Sequence, residues 1–234
     1  MANNENIKEA NRPELPSFTG ALRTHSIKMP EEIYKVSGIV INGRRIKSVI
    51  FTTDIAIIRN CNADAVLAVY PFTPQQAISH AIIMAAPIPV FCGIGGGTTA
   101  GMRSAHMAQD AEAQGAFGVV VNAPFPVDNI STVKEFIDIP IIATVVSENA
   151  DIQAILDAGA SILNVSAAAK TPELVKKIKE KFPGVPVIAT GGPTPESIKA
   201  TVDAGANCIS YTPPSTAELF TEMMKKYRGD NSND

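Results

Sequence analysis

Eight apolar, β-rich runs recur along the chain, at positions 48–53, 65–70, 89–93, 118–122, 140–145, 161–165, 186–190 and 208–211. The stretch between each pair has room for one helix and two short loops. Runs that are continuously apolar, rather than alternating, belong to strands buried on both faces, as a parallel sheet covered by helices demands. Eight such units predict an α/β fold, a single (β/α)8 TIM barrel. An open doubly wound sheet is the alternative. Its first strand would lead into Gly-x-Gly-x-x-Gly, whereas this chain continues as Phe51-Thr52-Thr53-Asp54.

Signals at the helix ends agree with the barrel. A cap residue, a proline and an acid or amide recur as Thr73-Pro74-Gln75, Thr171-Pro172-Glu173 and Thr194-Pro195-Glu196. Each predicts a helix start with proline in the first turn. Gly115, Gly159 and Gly205 follow helical stretches and predict left-handed C-caps. Upstream, residues 30–36 predict a short helix. Asn42-Gly43 between two apolar runs predicts a hairpin, placed to plug the bottom of the barrel. Residues 1–46 are therefore read as an N-terminal arm and hairpin, the arm loose to about residue 20 because Pro13 and Pro16 break any pattern. The barrel takes 47–228, fraying from Lys225, and 229–234 reads as a disordered tail.

Composition narrows the partners. At 234 residues the chain can bury one barrel-sized core. A net charge of −3, with no basic–aromatic patch, argues against nucleic acid and against an anionic membrane surface. No run approaches the ~20 apolar residues of a membrane helix. The first residues, Met1-Ala2-Asn3-Asn4-Glu5-Asn6, lack the basic and apolar regions of a signal peptide. Cys61, Cys92 and Cys208 are odd in number and widely spaced, which reads as reduced thiols and a cytoplasmic location. Self-association into a homo-oligomer stays open.

In a barrel of this kind ligands lie at the C-terminal strand ends, with phosphate commonly after strands seven and eight. Gly191-Gly192 precede the helix start at Thr194 and are read as the anion-binding turn, or simply as a tight βα corner. A second glycine cluster, Gly95, Gly96 and Gly97 with Gly93, reads as an anion nest or as a mobile loop over the site. It is no P-loop, because a Gly-Lys-Ser/Thr ending is missing. Asn122, Thr144, Lys170, Thr190, Tyr211 and Thr212 complete the substrate-binding set. The catalytic set is Asp54, Glu148 and Asn164: the two carboxylates as acid/base candidates and Asn164 orienting the substrate. Asp54 could equally cap a helix, and Glu148 could sit in a solvated first turn. Cys92 reads as a packed thiol, and His80 and His106 as helix residues away from the strand ends. No His/Cys/carboxylate cluster has metal spacing, so neither a metal nor a cofactor is expected.

Ala158-Gly159-Ala160-Ser161-Ile162-Leu163-Asn164-Val165, followed by Pro186-Val187-Ile188-Ala189-Thr190-Gly191-Gly192-Pro193-Thr194-Pro195-Glu196, is similar to the KDPG/KHG aldolases and to phosphate-binding barrels generally. The resemblance covers residues 140–212 and implies a barrel with phosphate at Gly191-Gly192. The position matching the aldolases' Schiff-base lysine is Asn164, and without an amine no imine forms. The stretch 161–165 running into Thr171-Pro172-Glu173-Leu174-Val175-Lys176-Lys177-Ile178 resembles, more weakly, the glycerol-3-phosphate-responsive antiterminators, ligand-sensing barrels. Two functions follow as expectations. One is an enzyme acting on a small phosphorylated or carboxylated metabolite by lyase, isomerase or hydrolase chemistry. The other is a non-catalytic barrel that senses such a metabolite.

Overall fold

A computed structural model describes residue 16 and residues 27–228. The loose arm expected over 1–20, residue 16 apart, and the tail at 229–234 lie outside the described residues. A 3-10 helix, Glu31–Lys35, precedes the hairpin formed by β1 (Ile39–Ile41) and β2 (Arg44–Ile46), which turns at Asn42 and Gly43. The eight parallel strands follow: β3 (Ser48–Phe51), β4 (Ala65–Ala68), β5 (Val90–Gly95), β6 (Gly118–Val121), β7 (Ile141–Val145), β8 (Ile162–Val165), β9 (Val187–Thr190) and β10 (Cys208–Tyr211). They close into a barrel in the order β10-β3-β4-β5-β6-β7-β8-β9. The helices are α1 (Ile55–Arg59), α2 (Gln76–Ala85), α3 (Met102–Ala113), α4 (Val127–Lys134), α5 (Ile152–Asp157), α6 (Thr171–Lys181), α7 (Pro195–Asp203) and α8 (Thr216–Arg228). The fold is the (β/α)8 barrel that the eight runs predict.

Burial follows the strand pleat. Every residue of β4, β6 and β8 is buried, because one face meets the helices and the other the barrel axis. The axial face gathers Val49, Ala65, Leu67, Phe91, Val120, Ile142, Ile162, Ile188 and Cys208 into one apolar cluster. Ile39, Ile41 and Ile46 of the hairpin belong to the same cluster, so the hairpin closes the N-terminal end of the barrel. The alternate face, including Ile50, Val66, Val119, Leu163 and Ile209, packs against the helices in a second cluster.

One helix start is as expected and three local expectations change. Thr194 caps α7 with Pro195 at its first position, and Ser197 returns the hydrogen bond to complete a capping box. Thr73-Pro74-Gln75 does not start α2, because Gln75 is extended and its N–H donates to the Tyr70 hydroxyl at 2.8 Å. Thr171 lies inside α6 rather than capping it, since the 3-10 turn Ala168–Lys170 runs directly into that helix. At the end of the described residues, Lys225 to Arg228 are helical, not frayed, and continue α8.

The hairpin supplies a test of the plug. Ile46 is 1% exposed in the axial cluster, whereas Val40, on the other face of the hairpin, is 66% exposed. Ile46→Ala is expected to destabilise the protein by about 2–5 kcal/mol and Val40→Ala by less than about 0.5 kcal/mol. Urea denaturation measures both, and equal small effects would mean that the hairpin does not close the barrel.

Candidate functional site

The inward face of each strand carries the site. On β6 to β10 it changes from apolar to polar one step before the C-terminal rim: Val120 to Asn122, Ile142 to Thr144, Ile162 to Asn164, Ile188 to Thr190 and Cys208 to Ser210. On β3 and β4 it stays apolar, as Phe51, Leu67 and the following Val69. The five polar residues and these three apolar ones, with Ala123, Val146, Ser166 and Thr212, line an axial cavity of about 270 Å³. Its wall is thus polar on one side and hydrocarbon on the other. A larger cavity of about 740 Å³ lies between the loop after β4 and the glycine loop after β5, and both cavities share Val69, Asn122 and Ala123.

A directed chain of hydrogen bonds crosses the polar side. Asn164 Nδ2 donates to Thr144 Oγ1 at 3.2 Å, and Thr144 Oγ1 donates to Asn122 Oδ1 at 3.4 Å. Thr190 Oγ1 donates to Ser166 Oγ at 3.1 Å. Asn164 is only 6% exposed, and its Oδ1 is buried with no hydrogen-bond partner. A buried acceptor left unpaired costs about 1–3 kcal/mol. It is therefore the atom of this cavity with the most to gain from a ligand's donor.

The candidate residues divide. Asn122, Thr144, Asn164, Thr190 and Thr212 meet at the axial cavity, and Gly95, Gly96 and Gly97 line the larger one. The glycine loop is a closed turn rather than an open nest. Gly96 N–H donates to Thr99 O, Thr99 N–H returns the bond to Gly96 O, and Gly97 N–H donates to Pro124 O. Glycine is required at Gly96, where φ is +140° and a Cβ would stand 2.7 Å from the Asn122 backbone oxygen.

Gly191 and Gly192 also have structural work. A Cβ on Gly191 would meet Ile209 and Ile198 at 2.8 and 3.0 Å, so this glycine lets α7 pack onto the barrel. Its N–H donates to Ser210 O at 3.1 Å. Gly192 has φ +84° and faces Ser197 of the capping box. Tyr211 lies one residue out of phase with Ser210 and Thr212, so its ring packs into the outer cluster against the helices.

The charged candidates sit off the axis. Asp54 caps α1, accepting from Ala56 N at 2.8 Å and Ile57 N at 3.2 Å, and its other oxygen accepts from the Thr216 hydroxyl. Chiefly that hydroxyl, helped by the two N–H groups, holds its pKa below the ordinary 3.8. Glu148 is bound by Lys177 Nζ at 2.6 Å, which lowers its pKa, and Lys177 also reaches Glu173 at 2.8 Å. Glu148 and Lys170 line a separate cavity of about 280 Å³ that adjoins the axial one at Val146. Cys92 is fully buried, and burial pushes its thiol up to about 12, so it is a packed, inert group. Among the polar residues of the axial cavity, Ser166 and Ser210 are the ones absent from the candidate set. Their signal was the alternation itself, two residues on from Asn164 and from Cys208.

No family model matches the chain, and no curated protein does. Solved structures do. Phosphonopyruvate hydrolase, in a complex with oxalate and magnesium, has 15% identity and a TM-score of 0.61, covering 81% of this chain and 84% of that one. Phosphoenolpyruvate phosphomutase from Streptomyces platensis subsp. rosaceus has 14% identity and a TM-score of 0.61, over 77% and 80%. 2,3-Dimethylmalate lyase, a PEP mutase/isocitrate lyase superfamily member, has 13% identity and a TM-score of 0.60, over 85% and 84%. At such identities the likeness is one of fold, and it supports the (β/α)8 barrel rather than the aldolases in particular. Magnesium does not fit the residues here. The ion wants oxygen ligands that include carboxylates, yet among the described residues no carboxylate lines the axial or the larger cavity. Among the described residues, no group of three or more His, Cys, Asp or Glu side chains is placed to hold a metal.

The cap on α1 makes a pH prediction. Asp54→Ala is expected to lose about 1 kcal/mol of stability at neutral pH, the usual worth of an N-cap, with the charge component screened at this exposed site. Because the folded pKa lies below 3.8, the carboxylate's contribution is complete above that value and fades as pH falls through the folded one. The gap between the two proteins should therefore narrow below 3.8. Urea midpoints taken from neutral pH down to about pH 3 measure it, and a gap constant with pH would remove the charge from the account.

Proposed function

We propose that this chain is a barrel enzyme acting at the C-terminal rim on a small phosphorylated or carboxylated metabolite, by lyase, isomerase or hydrolase chemistry. The observation that carries the reading is the axial cavity: five consecutive strands place Asn122, Thr144, Asn164, Thr190 and Ser210 on one wall, at the end of the barrel where enzymes of this fold work. The structural neighbours, among them a hydrolase, a mutase and a lyase, support it by analogy of fold. Asn122, Asn164 and Thr190 orient the substrate. Glu148, across Val146 in the adjoining cavity, is the carboxylate assigned to proton transfer. It stands as a carboxylate, its pKa lowered by Lys177, so its part is to accept a proton and not to give one. Gly191-Gly192 serve through the N-terminus of α7 rather than through an open nest, and the anionic group is recognised by neutral donors.

A metabolite sensor is the second reading, favoured by one feature: among the described residues no ionisable side chain lines the axial cavity. A thermal-shift screen of triose phosphates, sugar phosphates and small carboxylic acids, followed by turnover assays on stabilising compounds, separates the two. For an enzyme, Glu148→Gln should lower kcat by about 100-fold or more while ligand affinity holds. Stabilisation without turnover, unaltered by Glu148→Gln, would establish the sensor.

A further inference from the structure

We infer that the axial cavity takes its ligand through an uncharged hydrogen-bond donor, a hydroxyl or an amide NH2 group, and without a divalent cation. The inference rests on the reading of the rim as a metabolite site and narrows the class of metabolite. Asn164 Oδ1 is the starting point, buried and unpartnered in a side chain only 6% exposed. An acceptor is satisfied only by a donor. A carboxylate or phosphate oxygen has no hydrogen to give and would face Oδ1 with like partial charge. The Asn164 Nδ2 group is already held by Thr144, which fixes the direction of the chain that runs on to Asn122 Oδ1. Asn164 lines the cavity, and its amide turns about the soft χ2 torsion, so Oδ1 reaches a ligand at the expense of the 3.2 Å bond from Nδ2 to Thr144.

The rest of the wall agrees. Phe51, Leu67 and Val69 offer hydrocarbon opposite the amides, so a carbon bearing the donor fits between them. A ligand anchored by two anionic groups on a metal would need carboxylates around the cavity, and the described residues of that wall include none. The wall thus favours a ligand with a neutral donor head over a dianion bridged by a cation.

Isothermal titration of the whole protein with glycolate and oxamate against oxalate tests this. Oxamate and oxalate have nearly one shape and differ in an NH2 group against an anionic oxygen. In EDTA, glycolate and oxamate should bind at least about 10-fold tighter than oxalate, and millimolar MgCl2 should leave all three affinities unchanged. Asn164→Leu, of similar volume but with no acceptor, should erase the preference. Thr144→Val, which frees the Asn164 amide, should reduce it if the leucine variant fails to fold. Oxalate binding as tightly as oxamate, magnesium-dependent binding, or a preference that survives in the folded variants would overturn the inference. If none of the three probes binds while compounds from the metabolite screen do, the donor head is wrong and the rim site stands. If nothing at all binds, both fall.

Discussion

Ring closure is the constraint from which the rest follows. Eight parallel strands joined edge to edge leave no free edge, and they oblige every second residue to face one shared axis. Below the rim that axis is filled by Val49, Leu67, Phe91, Val120, Ile142, Ile162 and Ile188, with three isoleucines of the hairpin sealing the bottom. Sealing one end with apolar side chains is what lets the other end stay hollow. The same periodicity that buries Ile162 carries Asn164 up to the cavity wall, two residues later on one face.

Polar groups are sorted by distance from that axis. Neutral amides and hydroxyls occupy the cavity wall, where their dipoles bond to one another and a full charge would lose its water. Carboxylates stand outside it, with water or a partner close by. Asp54 closes the first turn of α1 and meets Thr216 at the start of α8, tying the first and last βα units together. Glu148 shares Lys177 with Glu173 on the flank. The unpaired oxygen of Asn164 is the exception within this order, and it falls at the rim of the barrel, where local rules of satisfaction yield to binding.

Fold class and strand number were legible because both are set by local composition. A continuously apolar run of four or five residues is buried on two faces whatever surrounds it, and eight of them in even spacing leave few ways to close. The α7 cap at Thr194 was legible for the same reason, since a cap involves neighbours three residues apart. Roles that depend on distant neighbours were not. That Gly191 also has a packing role was not visible, because Ile198 and Ile209, which a Cβ there would strike, approach it from other elements. Tyr211 and Ser210 are adjacent in the chain, and only the strand's phase around the axis sends one to the helices and the other to the cavity. The sequence by itself determined an eight-stranded parallel barrel with polar strand ends, because hydrophobic periodicity is a property of short segments. Which of those polar groups share a cavity was decided by the tertiary structure, because closing the ring fixes each strand's rotation about its own axis.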